Sequence, residues 1–375
     1  MAKREAYAGT ISKVKGKDLY MGRIQLGFKP DGKPNRKAVY AKTKAETAEK
    51  LRMLAYQFGV GACYDPSTMT IKEWLKFWIE NFKKLNLKPK TFEVYKQVID
   101  CHIVPSIGHV TLKALTTMHL QRLVNEKFQS GLSTGSIRKM HNIISSTLNQ
   151  ALQNDMIPKN PAKSVKLPTH SQKPIKFFTE SEQKRFFEEA KEDTLYPLFV
   201  LAAHTGLRIG ELLALNWGDI DFKNGTVSVT KNAITVEDLD GISGKKNVTL
   251  IQDTPKTRSS IRTVPLSDMA TQVLKAHRQK SSALLVFCTK KATLLNSRNV
   301  ERSFYRIVEK AGIEKCSFHT LRHTFATRLF EKGIPAKIVS EFLGHSKVSH
   351  TLDIYTHCTP SIKSEAIKVL DMCGL

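Results

Sequence analysis

The sequence contains no pair of cysteines at C-x-x-C spacing; its six cysteines (Cys63, Cys101, Cys288, Cys316, Cys358, Cys373) are scattered. That argues against a zinc ribbon or finger and fits a reducing compartment. No long uncharged stretch is present that would span a bilayer. The first residues, MAKREAYAGT, are charged and lack an apolar run, so they do not read as a signal peptide. There is no repeat, no low-complexity tract and no P-loop. Acidic residues are few beside basic ones: 34 Asp+Glu against 59 Lys+Arg, a net charge of +25. Such an excess calls for a polyanionic partner, most commonly nucleic acid. The expectation is a soluble cytoplasmic protein that acts on, or binds, nucleic acid.

At 375 residues the chain exceeds what one core usually serves. Three segments are legible. In residues 1–63, GTISKV, YMGRIQLGF and KAVYAK alternate like strands, with an Asp-Gly turn signal in KPDGKPN. Thr43-Lys44-Ala45-Glu46 has capping-box form and opens a helix to about Phe58. The basic residues of this module (Lys13, Lys15, Lys17, Arg23, Lys29, Lys33, Arg36, Lys37) fit either a ribbon that enters a major groove or an ordinary solvated sheet face. GVGACYDPSTM reads as a linker.

Residues 69–160 read as four helices with basic tips (Lys83, Lys84, Lys88, Lys90, Arg138, Lys139). The first opens on a second capping box, Thr70 to Glu73, and presents Ile71, Trp74, Leu75 and Trp78 as core. HIVPSIGHVTLKAL reads as a break with an extended connection, and IPKNPAKSVKLPTHSQKP as an extended basic linker. Residues 175–375 read as mixed α+β, mainly helical. Thr179 caps a helix. LYPLFVLAAHTGLRIGELLAL gives two helices parted at Thr205-Gly206. NGTVSVTKNAITV and SSIRTVPL supply a small antiparallel sheet.

Polar residues in the last segment sit in unexpected places. Arg208 opens an apolar helix, where free N–H groups already favour an anion. His319 and Arg322, three apart, share a helix face and suit one phosphate. His319 and His323 have a zinc-compatible spacing, but no carboxylate lies between them and Arg322 would set a positive charge beside the metal. His323 reads as structural. No metal and no cofactor is expected.

The stretches HTGLRIGELLAL, TPKTRSSIRTVPL, HTLRHTFATRLFEKG and LGHSKVSHTLDIYTH occur in this order over about 150 residues. Together they resemble the tyrosine recombinases, in particular the integrases of temperate phages and of conjugative transposons of Gram-positive bacteria. The resemblance extends over nearly the whole chain. It implies an arm-type DNA-binding domain at 1–63 (three strands plus a helix), an all-α four-helix core-binding domain at 69–160 and a catalytic domain at 175–375. It implies six catalytic residues: Arg208, Lys256, His319, Arg322, His345 and the nucleophile Tyr355. Glu211 would orient its neighbours. The long stretch NAITVEDLDGISGKKNVTLIQD leaves Lys245 and Lys246 as alternatives for the lysine.

The implied activity is site-specific integration and excision of a mobile element through a 3′-phosphotyrosyl intermediate, without metal or ATP. Implied partners are double-stranded DNA at core and arm sites, a homotetramer on DNA, an excisionase or directionality factor and a host DNA-bending protein. The implied location is a bacterial cytoplasm, at the nucleoid. SIKSEAIKVLDMCGL reads as a short amphipathic helix, which docks on its own domain or, as the resemblance favours, on a neighbouring protomer. The rivals are a type IB topoisomerase-like relaxing enzyme, an architectural DNA binder and a metal-dependent nuclease. The scarcity of clustered carboxylates argues against the last.

Overall fold

The computed structural model describes residues 10–14, 18–28, 34–57, 69–169, 175–237, 247–252, 261–280 and 283–357. Two compact units account for the chain, Met1–Leu87 with Val94–His170, and Lys88–Glu93 with Ser171–Leu375.

The three basic strands form as their alternation predicts: β1 (Thr10–Lys13), β2 (Tyr20–Phe28) and β3 (Pro34–Ala41) pair antiparallel in that order. Ile24 and Leu51 are buried between this sheet and α1 (Lys44–Gln57). Glu46 N donates to Thr43 Oγ1 at 3.1 Å, so the cap predicted at Thr43 is in place. The Asp-Gly turn and the linker residues 58–68 lie outside the described residues.

The helical segment begins with α2 (Ile71–Trp78), closed by a full capping box: Glu73 N donates to Thr70 Oγ1 (3.3 Å) and Thr70 N to Glu73 Oε2 (2.8 Å). Trp74, Leu75 and Trp78 are buried, and the indole N–H of Trp74 donates to Thr147 O at 3.0 Å. Each such side chain contributes roughly 2–3 kcal/mol of apolar burial. α3 (Pro89–Val98), α5 (Thr117–Gln129) and α6 (Thr134–Gln153) follow as predicted.

Two stretches differ from expectation. The chain does not break at His102, where HIVPSIGHVTLKAL begins. It widens into a π-turn over Ile99–Ile103 and re-enters α4 (Val104–Ile107). The wider turn lets Val104 N reach Ile99 O and seats Pro105 in the first turn of α4, where its missing N–H is tolerated. The first half of the supposed linker is also docked. Asn160 donates to Ser145 O (3.0 Å) and Asn149 Oδ1 (2.8 Å), and Gln121 exchanges hydrogen bonds with the backbone of Lys166 (3.0 and 2.9 Å). Lysines and prolines hid a segment held by polar side chains of α5 and α6. Residues 170–174 lie outside the described residues.

In the second unit, α7 (Glu180–Ala190), α8 (Tyr196–Thr205), α9 (Ile209–Leu213), α10 (Asp268–Arg278), α11 (Ser297–Lys310) and α12 (His319–Glu331) surround a phenylalanine-rich core, and α13 (Ala336–Leu343) and α14 (Ser349–His357) meet α12 in a second, smaller apolar cluster. Ring centroids of Phe178, Phe186 and Phe318 lie within 6.4 Å of Phe304. β4 (Ile220–Asp221), β5 (Thr226–Val229) and β8 (Arg262–Pro265) make a small antiparallel sheet. Within the long stretch before the lysine, β6 (Asn232–Glu237) and β7 (Asn247–Gln252) pair antiparallel as a separate two-stranded sheet, so NAITV does not join the sheet of β4, β5 and β8. SALLVFC forms no named strand; Val286 and Phe287 are buried, and Leu285 bridges to Asn216.

Candidate active site

The site is assembled where two helices end. α8 stops at Gly206, whose φ of +64° is left-handed, and α13 stops at Gly344, with φ +63°. Left-handed caps leave helix-terminal carbonyls facing outward, at the negative end of each helix dipole. Both sets of carbonyls meet one guanidinium. Arg322 Nη1 donates to Gly206 O (2.7 Å), and Nη2 donates to Leu343 O (2.6 Å). Neither glycine tolerates a Cβ: at Gly206 it would sit 2.5 Å from Phe325 Cδ1, and at Gly344 2.9 Å from Arg262 Nη1.

Arg322 lies on α12 and is 2% exposed. Burial, then the charges of Arg208 and Arg262, push its pKa down to about 9, against the pull of Glu211. It is still cationic at neutral pH. A buried guanidinium fixed by two carbonyls is preorganised for a ligand with no rotamer left to lose.

Arg208 is the N-cap of α9 and only partly buried. Its backbone N donates to Glu211 Oε2 (2.8 Å), its Nη1 to Glu211 Oε1 (2.9 Å), and Nη1 reaches Leu343 O at 3.5 Å. Glu211 also receives Arg262, from Nη1 to Oε1 (3.1 Å) and from Nη2 to Oε2 (2.8 Å). Burial alone would raise the Glu211 carboxyl, and it is the largest single influence. The hydrogen bonds and charges of Arg262 and Arg208 together outweigh it and hold the group below its usual range. Arg262 in turn donates Nε to Phe342 O at 2.6 Å. This arginine follows the predicted lysine in the same motif and was not recognised as part of the site. Its one sequence signal was a charged residue at the start of an otherwise apolar strand.

His345 occupies the turn after α13. Its backbone N donates to Ser340 O (3.1 Å), and its Nδ1 pairs with Thr351 Oγ1 at 2.8 Å. Burial first, then Arg322 and Arg208, push its pKa down to about 3. His319 opens α12 on its solvent-facing side, and its ring meets that of His323 edge to face at 4.7 Å. Desolvation, then the neighbouring His323 ring and the charges of Arg322 and Arg208, hold it below its ordinary value. Both imidazoles are neutral at neutral pH. His323 Nδ1 is buried without a hydrogen-bond partner among the described residues. On the core-facing side of α12, Thr324 accepts from Phe178 N (2.9 Å) and donates to Thr320 O (2.8 Å).

The structure therefore brings Arg208, His319, Arg322 and His345 into one electrostatically coupled cluster. Tyr355 falls on α14, which packs on α12 and α13; its side chain lies outside the described residues. Lys256, and the alternatives Lys245 and Lys246, also lie outside them. Among the described residues no three His, Cys, Asp or Glu side chains group as metal ligands. No helix there is long and apolar enough to cross a membrane.

Two buried or half-buried guanidiniums with neutral imidazoles beside them make a site for a phosphate-sized anion. Residues 176–361 match the Phage integrase family, and residues 70–128 match the Phage integrase N-terminal SAM-like domain. A Tyrosine recombinase XerC-like protein of Caldanaerobacter subterraneus subsp. tengcongensis is 33% identical, over 99% of both chains. The ICEBs1 integrase of Bacillus subtilis is 24% identical over 94% of this chain and 96% of its own. The structure of the Tn1549 transposon integrase with a circular intermediate DNA superposes with a TM-score of 0.68 at 22% identity, over 80% of this chain and 99% of that one. The chain belongs to the phage integrase family of tyrosine recombinases. It is an enzyme, a site-specific recombinase that cleaves and rejoins DNA.

Proposed function

We propose that the cluster built on Arg322 binds the scissile phosphate of DNA and that Tyr355 attacks it. A phosphodiester carries one negative charge, and its transition state gathers more on the nonbridging oxygens. Arg208 and Arg322 meet that charge with fixed two-pronged donors, and His345 adds another. Tyr355 displaces the 5′ hydroxyl in line and forms a 3′-phosphotyrosyl bond. His319, neutral beside the phosphate, takes or relays the phenolic proton. Lys256 returns a proton to the leaving oxygen, a contribution typically of about a hundred- to ten-thousand-fold. The ester energy is conserved in the covalent bond, so rejoining needs no ATP. The observation that carries this reading is the pair of arginines held on one helix-terminal carbonyl.

The layout suits binding at two places. Residues 69–160 and 175–375 would hold the core site around the cut, and residues 1–63 an arm site; a linker that spans both raises avidity by about a hundred- to ten-thousand-fold. Solved relatives include a lambda integrase tetramer bound to a Holliday junction, 18% identical with a TM-score of 0.59, over 92% of this chain and 97% of that one. By that likeness we infer a homotetramer on DNA as the working form; an excisionase or directionality factor, a host DNA-bending protein and a place at the bacterial nucleoid are proposed from the family resemblance alone.

The test uses a nicked DNA substrate in EDTA. Wild-type protein should trap a covalent complex, and Tyr355→Phe should bind the DNA yet trap none. Trapping by the mutant, or loss of wild-type cleavage in EDTA, would overturn the reading.

A further inference from the structure

Thr351 is fully buried on α14, four residues before Tyr355. A buried hydroxyl needs somewhere to place its proton. Threonines in helices ordinarily turn back to the carbonyl four residues earlier. Thr205 does so to Leu201 O at 2.5 Å, and Thr324 to Thr320 O at 2.8 Å. Thr351 does not. Among the described residues its hydroxyl meets one polar atom, His345 Nδ1, at 2.8 Å.

The direction of that bond follows from the groups present. His345 is neutral, so it has one N–H donor and one bare acceptor nitrogen. If Nδ1 carried the proton, the Thr351 hydroxyl would accept it, and its own proton would be stranded in the core. If Nδ1 is bare, the hydroxyl donates to it and both groups are satisfied. The ring proton then lies on Nε2, and Nε2–H is the atom His345 has left to offer a phosphate oxygen.

The contact is long-range in function, though not in sequence. Ile354 seats α14 in the small apolar cluster of Ala326, Phe330, Val339 and Leu343, contributed by α12 and α13. Thr351 reaches His345 from that seat. The helix that carries the nucleophile therefore also carries the group that fixes the tautomer of a phosphate ligand.

We propose that Thr351 is a positioning residue that sets His345 as an Nε2–H donor only while the helix bearing Tyr355 is seated, so that one hydrogen bond couples nucleophile delivery to phosphate activation. This rests on the assignment of His345 to the phosphate given above. When α14 is lifted, His345 loses its partner, its proton redistributes between the two nitrogens, and the phosphate loses a fixed donor. A site without its nucleophile helix is then also electrostatically incomplete, which restrains water from cleaving the DNA in its place.

The experiment uses the full chain on nicked DNA at saturating concentration. Thr351→Val, nearly the same shape without the hydroxyl, should slow covalent-complex formation by about tenfold, the weight of one hydrogen bond. DNA affinity should be unchanged. Thr351→Ser should restore most of the rate. In a His345→Gln background Thr351→Val should add no further loss. The ¹⁵N spectrum of histidine-labelled protein should show His345 as the Nε2–H tautomer in wild type and Thr351→Ser, and as a mixture in Thr351→Val. Should the valine variant not fold, Thr351→Ala carries the same test.

A wild-type rate in Thr351→Val beside a slow His345→Gln overturns the coupling and leaves the site assignment standing. Losses that multiply independently in the double variant also overturn it. A wild-type rate in His345→Gln overturns the coupling together with the assignment on which it rests.

Discussion

Arg322 and Arg208, from different helices and 114 positions apart by their numbers, donate to the same main-chain oxygen, that of Leu343, at 2.6 and 3.5 Å. Two like charges converge there because the oxygen ends a helix and Glu211 balances Arg208 from behind. The arrangement holds both cations in place before any phosphate arrives.

Because the geometry as well as the charge is fixed, Arg322→Lys should not suffice. A lysine ammonium cannot hold Gly206 O and Leu343 O and also present a planar fork. Single-turnover cleavage should fall by about a hundredfold or more, the scale of losing one transition-state donor. DNA affinity, measured by gel shift, should change little. Equal losses in binding and cleavage would place Arg322 in general DNA binding.

Gly344→Ala combines a left-handed backbone with a Cβ 2.9 Å from Arg262 Nη1. Backbone strain alone costs about 1–3 kcal/mol. Gly131→Ala is the control, since Gly131 has φ +83° but open space around it. Thermal unfolding should show the larger loss for Gly344→Ala, and cleavage should fall only there.

Glu211→Gln should destabilise the protein chiefly through Arg262, whose side chain is 7% exposed, rather than through the more open Arg208. Breaking a buried ion pair costs about 3–5 kcal/mol, whereas an exposed pair contributes about 1 or less. Urea unfolding of Glu211→Gln, and of the variant with Arg262→Met added, measures this. The double variant should recover part of the loss, because the Arg262 charge is no longer left buried without its carboxylate.

Acid should unfold the protein earlier than its carboxylates alone dictate. His323 is held down to about 4, by burial and then by Arg322, from an ordinary value of 6.5. Below pH 6.5 the unfolded chain takes up a proton that the folded one refuses. Stability therefore falls as pH drops from about 6.5 towards 4. His345 acts in the same direction, with its window extending to about 3. Melting temperature measured from pH 7.5 to 4.5 should decline across this range, and less steeply in His323→Gln. A flat profile above pH 5 would contradict the half-buried neutral imidazoles.

Much of the fold was legible because it rests on local rules. Capping boxes at Thr70 and Thr179 close α2 and α7, and Gly206 separates α8 from α9 where the sequence said it would. The HTLRH helix was legible as a helix, and four of the six expected catalytic residues stand together. What stayed hidden depends on contacts between distant segments. Pro105 reads as a helix breaker until a π-turn makes room for it. Asn160 and Lys166 read as linker until Asn149 and Gln121 are placed beside them. Arg262 joins the site through Glu211, 51 residues earlier, and the carbonyl of Phe342, 80 residues later, and the Leu343 carbonyl has no side-chain signature at all.

The central claim, that an aromatic oxygen on α14 takes over a phosphate held by Arg208 and Arg322, is tested most directly by peptide mapping of the trapped protein–DNA adduct by mass spectrometry. Nucleotide mass should appear on the peptide that contains Tyr355 and on no other. An adduct on a different residue, or cleaved DNA that carries no protein, would contradict that claim.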